Sequence, residues 1–193
     1  MRRINLNRAI SSLKRLEELV EARNSLNLND LNIDCEVIYR QLLNVLFGWN
    51  LENSNITIKF NCPGFDLVDK YKKILIQVSS DVSKDKISKS LDKKIYKDYN
   101  DYSFKFLGIT EKVDSKMKNI EFSNPYNLKF NPQEDIIDHQ YLISLIQDAS
   151  IEKQEKITSI LWDEIKSLLL LDIKQVTTNL AQLINIIHET DLI

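Results

Sequence analysis

Apolar residues recur every three or four positions at Ile4, Leu6, Ile10, Leu13, Leu16, Leu19 and Val20, which predicts an amphipathic helix ending near Arg23. Cap-forming residues fill Asn29 to Asp34, so a second helix is expected from Asp34 through Cys35, Ile38, Leu42, Val45 and Leu46, closed by Gly48. The period then changes to two. Ile56, Ile58 and Phe60 alternate with Thr57 and Lys59 as a half-buried strand would, and Asn61-Cys62-Pro63-Gly64 ends the run in turn chemistry. Phe65 to Val68 reads as a second strand and the nearly unbroken apolar run Ile74 to Ser79 as a third, central one. Ile87, Leu91 and Ile95 at fourfold spacing define a lysine-studded helix to about Lys97, and Phe104 to Ile109 a fourth strand. Helical patterns resume near Gln133, with Ile136 and Ile137, then Leu142 to Ile146, then stripes from Ile157 to Leu169 and from Val176 to Ile187.

The expected fold class is therefore α/β, in the α+β sense: helix, strand, strand, strand, helix, strand, with a mixed sheet and C-terminal helices. Residues 1–120 are expected to form the core and 121–193 a helical extension packing on the core or on a partner. The 193 residues suit one domain with such an extension, and only three Gly and three Pro leave few breakers for long helices. The longest apolar stretch surrounds Leu168 to Leu171, far short of the roughly 20 residues of a membrane span. No membrane partner is expected. The start, Met1-Arg2-Arg3 followed by Asn5 and Asn7, lacks the apolar core of a secretory signal. Two cysteines cannot make a disulfide framework, so the expected compartment is the cytoplasm.

The formal net charge of -2 conceals a division. Residues 1–120 hold 21 Lys+Arg against 16 Asp+Glu, whereas 121–193 hold 5 against 12. The surplus is densest at 70–118, with 13 Lys against 7 acids, and fits a polyanion partner, although charge alone favours a solvated helix face.

Chemistry concentrates on the hairpin. Asp66 follows the Pro-Gly turn, and Gln77 interrupts an otherwise apolar strand that pairs with it. If the two share an edge, a carboxylate, an amide oxygen and the Val78 carbonyl converge in a set that hard divalent cations prefer, with Glu36 of the preceding helix as a second carboxylate. Plainer roles exist for each: Glu36 as a first-turn acid, Asp66 as a turn residue, Gln77 as a hydrogen-bonded buried amide. Asp69 reads as a turn residue, and His139 and His188 as surface or interface residues. No phosphate-binding Gly loop is present, which excludes a nucleotide hydrolase of that type.

The trio Glu36, Asp66 and Gln77 and the order of elements resemble the PD-(D/E)xK nuclease superfamily, with its restriction-endonuclease-like αβββαβ core. More specifically, Asn61-x-Pro63-Gly64-Phe65-Asp66-Leu67-Val68-Asp69, Ile76-Gln77-Val78-Ser79-Ser80 and Lys84-x-Lys86-Ile87 are similar to the SMEK domain of bacterial defence-associated proteins. Phe130-x-Pro132 and Asp135-Ile136-Ile137-Asp138 extend the similarity toward the C-terminal part. The resemblance implies a Mg²⁺- or Mn²⁺-dependent nuclease acting on DNA in anti-phage defence, as a homo-oligomer or beside a partner such as an ATPase. Its catalytic residues would be Glu36, Asp66, Gln77 and Lys86, its metal ligands Glu36, Asp66 and Val78, and its DNA-binding residues Lys84, Lys89, Lys93 and Lys94. The superfamily places a lysine two residues after the strand acid, where this chain has Ser79. Lys86 is the first candidate to replace it and Lys84 the second. The alternative is a catalytically inactive module of the same fold that binds nucleic acid or a partner protein; a third reading is an oligomerising scaffold built from the terminal helices. The C-terminal apolar stripe near Leu180, Leu183 and Ile187 is expected to face a second copy or a partner protein.

Overall fold

The computed structural model describes residues 1–28 and 30–190, with side chains, Asp30 excepted, as far as Leu169. Helices α1 (Arg2–Ser25) and α2 (Asp30–Phe47) precede strand β1 (Glu52–Asn53) and the short helix α3 (Ser54–Thr57). Strands β2 (Leu67–Asp69) and β3 (Ile74–Ser79) follow, then α4 (Lys84–Leu91), a 3-10 turn at Lys94–Asp98 and β4 (Ser103–Gly108). The chain closes with α5 (Pro132–Asp135), β5 (Ile136–Ile137), α6 (His139–Asp148) and α7 (Ile151–Thr190).

The five strands form one mixed sheet in the order β1-β2-β3-β4-β5. β2 runs antiparallel to β1 and β3, while β3, β4 and β5 are parallel to one another. Parallel pairing of β3 and β4 requires a crossover, which α4 supplies. The expected boundary near residue 120 falls between two adjacent strands of this sheet, β4 before it and β5 after it.

Each face of the sheet has its own core. One is largely aliphatic: Ala9, Leu13, Leu16 and Val20 of α1 pack with Ile38 and Leu42 of α2, Leu142 and Ile146 of α6, and Ile157, Leu161 and Ile165 of α7, over Ile74, Ile76 and Val78. The other is aromatic, with Phe65, Tyr96, Phe104, Phe106 and Phe122 around Leu75 and with Ile87 and Leu91 of α4. Residues 74, 76 and 78 against 75 show the period of two in β3. In α1 the buried seam runs through Ala9 and leaves Ile4 and Ile10 exposed, because positions 9, 13, 16 and 20 share one helical face.

Four expectations are corrected. The run 56–60 is not a strand. Asn53 accepts the backbone N–H of Asn55 (2.9 Å) and the Thr57 hydroxyl donates to the Asn53 carbonyl (2.5 Å), so capping chemistry turns the chain into α3 and leaves Ile56 and Phe60 on the surface. Second, α2 starts at Asp30, four residues ahead of the expected cap, although it ends as expected before Gly48, whose φ is +65°. Third, α4 stops at Leu91, so Lys93 immediately precedes the 3-10 turn and Lys94 begins it. Fourth, Ile136 and Ile137 are extended. The Asn131 side chain caps only the single turn α5 and Asp138 caps α6, and the two isoleucines between these caps pair with Phe106 and Leu107.

Candidate functional site

Asp66 stands immediately before β2. The register Leu67 to Ile76 extends by one step to set Asp66 opposite Gln77. The Asp66 backbone is fixed on both sides, its N–H donating to the Ile76 carbonyl and its carbonyl accepting from Ser54, each at 2.8 Å. Its side chain receives the Gln77 amide nitrogen (2.6 Å) and the Val78 backbone N–H (2.7 Å) on the same oxygen, Oδ2. The same Gln77 nitrogen also approaches the Val78 carbonyl (3.2 Å). Gln77 therefore presents its nitrogen, where an amide oxygen was expected. It orients the carboxylate and does not add a ligand oxygen.

Glu36, half-buried on α2, accepts a 3.0 Å hydrogen bond from the Asn53 side chain of β1. Burial raises its carboxyl above the ordinary value, with the Asn53 hydrogen bond opposing. The effect at Asp66 is larger. Burial is the main cause that lifts its carboxyl to about 7; the Glu36 charge adds to this, while the Val78 N–H and the Lys86 ammonium act against it. Glu36, Asp66, Gln77 and Lys86 thus share one electrostatic neighbourhood.

Lys86 lies in the first turn of α4, its N–H capped by the Ser83 hydroxyl and its side chain half-buried. Ser79, where the resemblance led a lysine to be expected, is buried and its hydroxyl donates to the Asp81 carbonyl (3.0 Å). Lys84 and Lys89 are exposed on α4, and Lys94 is exposed on the 3-10 turn. Lys93 is half-buried. Its stem lies over Gly64, where a Cβ would come within 2.8 Å of Lys93 Cγ and 2.6 Å of the Tyr96 hydroxyl oxygen. Gly64 has φ +97°, so both its conformation and this close approach call for glycine. Tyr96 fixes the turn from below, with its hydroxyl 2.5 Å from the Gly64 carbonyl and 2.9 Å from that of Ser90.

Sequence reasoning missed two supports of this site, Asn53 and Tyr96. The Asn53–Glu36 bond spans 17 residues and the Tyr96–Gly64 bond 32, and no local pattern signals either one. It also misplaced His139, which is buried at 2% exposure. Its Nε2 lies 2.5 Å from the Tyr39 hydroxyl and its Nδ1 3.5 Å from Glu17, in a closed network beneath α1 and α2. Burial lowers its pKa. His188, Leu180, Leu183 and Ile187 lie outside the described side chains.

Among the described residues no group of three or more His, Cys, Asp or Glu could hold a metal ion. Two carboxylates and a carbonyl remain, which is the sparse protein contribution typical of Mg²⁺ sites completed by water and substrate phosphate. Asp66 fits such a role: its buried charge is disfavoured by Glu36, and a cation would relieve that repulsion. No helix among the described residues is long and apolar enough to cross a membrane.

A family model described as the SMEK domain matches residues 8–147. No curated protein and no solved structure matches the chain.

Proposed function

The chain belongs to the SMEK domain family, and we propose that it is a metal-dependent nuclease-like effector that cleaves phosphodiester bonds of DNA. The observation that carries this reading is the buried Asp66 carboxyl, lifted to about 7, in one neighbourhood with Glu36, Gln77 and Lys86. The order α2, β1, β2, β3, α4, β4, with only the single-turn α3 set between β1 and β2 and with β2 alone antiparallel to the rest, supports a restriction-endonuclease-like core. In that reading the host system is bacterial anti-phage defence, with a second copy or a partner such as an ATPase completing the assembly.

The residues divide the work as follows. Asp66, Glu36 and the Val78 carbonyl would hold Mg²⁺ or Mn²⁺, which when bound lowers the pKa of water and offsets charge on the phosphate. Gln77 and the Val78 N–H aim the Asp66 carboxylate, and Asn53 aims that of Glu36. The Lys86 ammonium supplies the positive charge that Ser79 does not, stabilising charge that grows on the phosphate oxygens. Exposed Lys84, Lys89 and Lys94 bind the strand backbone.

A second reading, a catalytically inactive module that binds nucleic acid or a partner, is favoured by one observation: the Ser79 hydroxyl is engaged by Asp81. Incubating the purified protein and its Asp66→Asn variant with labelled DNA and Mg²⁺ or Mn²⁺ separates the two. Cleavage by the wild type alone supports the nuclease. DNA binding without cleavage by either protein supports the inactive module.

A further inference from the structure

The run Ile56 to Phe60 was expected to bury its alternate apolar residues, and only Ile58 is partly buried. Ile56 is 88% exposed and Phe60 84%, with exposed Lys59 between them. Segment 54–62 is no frayed loop, because it is tied to the site at two points and closed on itself at a third. Ser54 N–H donates to the Asp66 carbonyl (2.8 Å), the Ser54 hydroxyl to the Phe65 carbonyl (2.8 Å), and Cys62 N–H to the Asn55 side chain (2.9 Å). Lys59 and Asp66 both act electrostatically on the Cys62 thiol, which places the segment's cation and the site's carboxylate around one residue. The rim next to it is basic too, with the Lys93 stem over Gly64 and Lys86 near Asp66.

We propose that this segment is a stacking finger: Phe60 packs on an unpaired base while Lys59 and Lys93 meet the flanking phosphates, so the site takes single-stranded or locally unpaired nucleic acid. An apolar protein partner covering Phe60 would have to bury these ammonium groups without counter-charges, whereas a nucleic-acid strand supplies phosphates and base faces together. A duplex interior offers no free base face to a ring held on a surface loop. The proposal rests on the nucleic-acid reading above and names its substrate class.

The test is fluorescence anisotropy of labelled oligothymidylate, oligouridylate and a DNA duplex of equal length, in EDTA so that no cleavage intervenes. Wild type is compared with Phe60→Ala and Phe60→Trp. Phe60→Ala is expected to weaken single-strand binding by roughly five- to hundredfold, the range of one lost base–aromatic stack, with duplex binding and salt dependence unchanged. Phe60→Trp retains single-strand affinity, and the thymidylate and uridylate arms show whether DNA or RNA is preferred. Unchanged single-strand binding by Phe60→Ala overturns the finger, and so does an equal loss on the duplex, which indicates a wedge between base steps. Binding of wild type to anionic vesicles that is lost in Phe60→Ala identifies a lipid surface and overturns it as well. If wild type binds no oligonucleotide in EDTA and none with Ca²⁺ in its place, the nuclease reading falls with it; if binding occurs but ignores Phe60, only the finger falls. Phe60 is largely exposed, so the variants are expected to keep the wild-type circular dichroism spectrum.

Discussion

Asp66 precedes β2 and Asp69 ends it, and the chain treats the two aspartates in opposite ways. Asp69, 1% exposed, accepts the backbone N–H groups of Asn50 (2.7 Å), Tyr71 (3.0 Å) and Lys72 (2.9 Å), with both carboxylate oxygens in use. Those bonds lock the β2–β3 turn and hold the segment after α2 in place. Asp66, at the other end of the strand, accepts its Gln77 and Val78 bonds on Oδ2 alone and faces a second carboxylate. A carboxylate surrounded by peptide N–H groups is spent on structure. One that is buried but only partly hydrogen-bonded retains reactivity, at a cost in stability.

The comparison is broken most directly by substitution. Asp66→Asn is expected to lower metal-dependent cleavage by about 10²- to 10⁴-fold while leaving the fold intact, measured as initial rates on labelled DNA. The same change should raise the stability of the metal-free protein at neutral pH. The sign follows from linkage. The folded-state pKa of about 7 lies above the ordinary 3.8, so the folded state binds the proton more tightly, and stability present below pH 3.8 is lost as pH rises through 7. The loss amounts to at most about 4 kcal/mol, and Asp66→Asn should flatten it; urea melts from pH 4 to 8 measure both curves. If the two proteins show the same pH dependence, Asp66 is not the strained group.

Asp69→Ala should do the reverse, costing about 2–4 kcal/mol of stability by stranding three backbone donors, read as a lowered denaturation midpoint. Cleavage per folded molecule should change little. A sharper comparison sets Lys86→Ala against Lys84→Ala on α4. The first is expected to cost about 10²-fold in rate and the second much less, since Lys86 is the α4 lysine that acts on Asp66. Equal losses would make both simple phosphate contacts. Smallest of all, reversing the charge of Lys84 and Lys89 together should reduce the salt slope of DNA binding by roughly one for each contact removed.

The hairpin part of the site was legible because its information is local. An antiparallel pair with a short turn sets which residues face each other, so Asp66 and Gln77 could be matched by counting. Lys86 followed from its distance beyond β3. Segment 56–60 could not be read the same way, because alternation of Ile, Ile and Phe is compatible with a strand and with a capped helical turn. The Asn53 and Ser54 side chains decide between them, through bonds to backbone in the turn and to Phe65. Ile136-Ile137 carries no period at all, and its strand character comes from β4, which lies far away in sequence. Lys93 was expected on a lysine-rich helix face away from the site, and its packing over Gly64 could not be read because it depends on where Tyr96 turns the chain.

The pairing of α1 with α7 sets a schedule for synthesis. The Thr158 hydroxyl donates to the Asn5 carbonyl across 153 residues, and the aliphatic seam of α1 closes against Ile157, Leu161 and Ile165. At 5–20 residues per second, α1 waits roughly 8–30 s on the ribosome before its cover is made. The family match ends at residue 147, ahead of α7, so the cover lies outside the matched segment. Until then α2, α6 and the sheet cover α1 only in part, and a chain cut short before α7 is expected to leave the strip that meets Ile157, Leu161 and Ile165 open to solvent and prone to association.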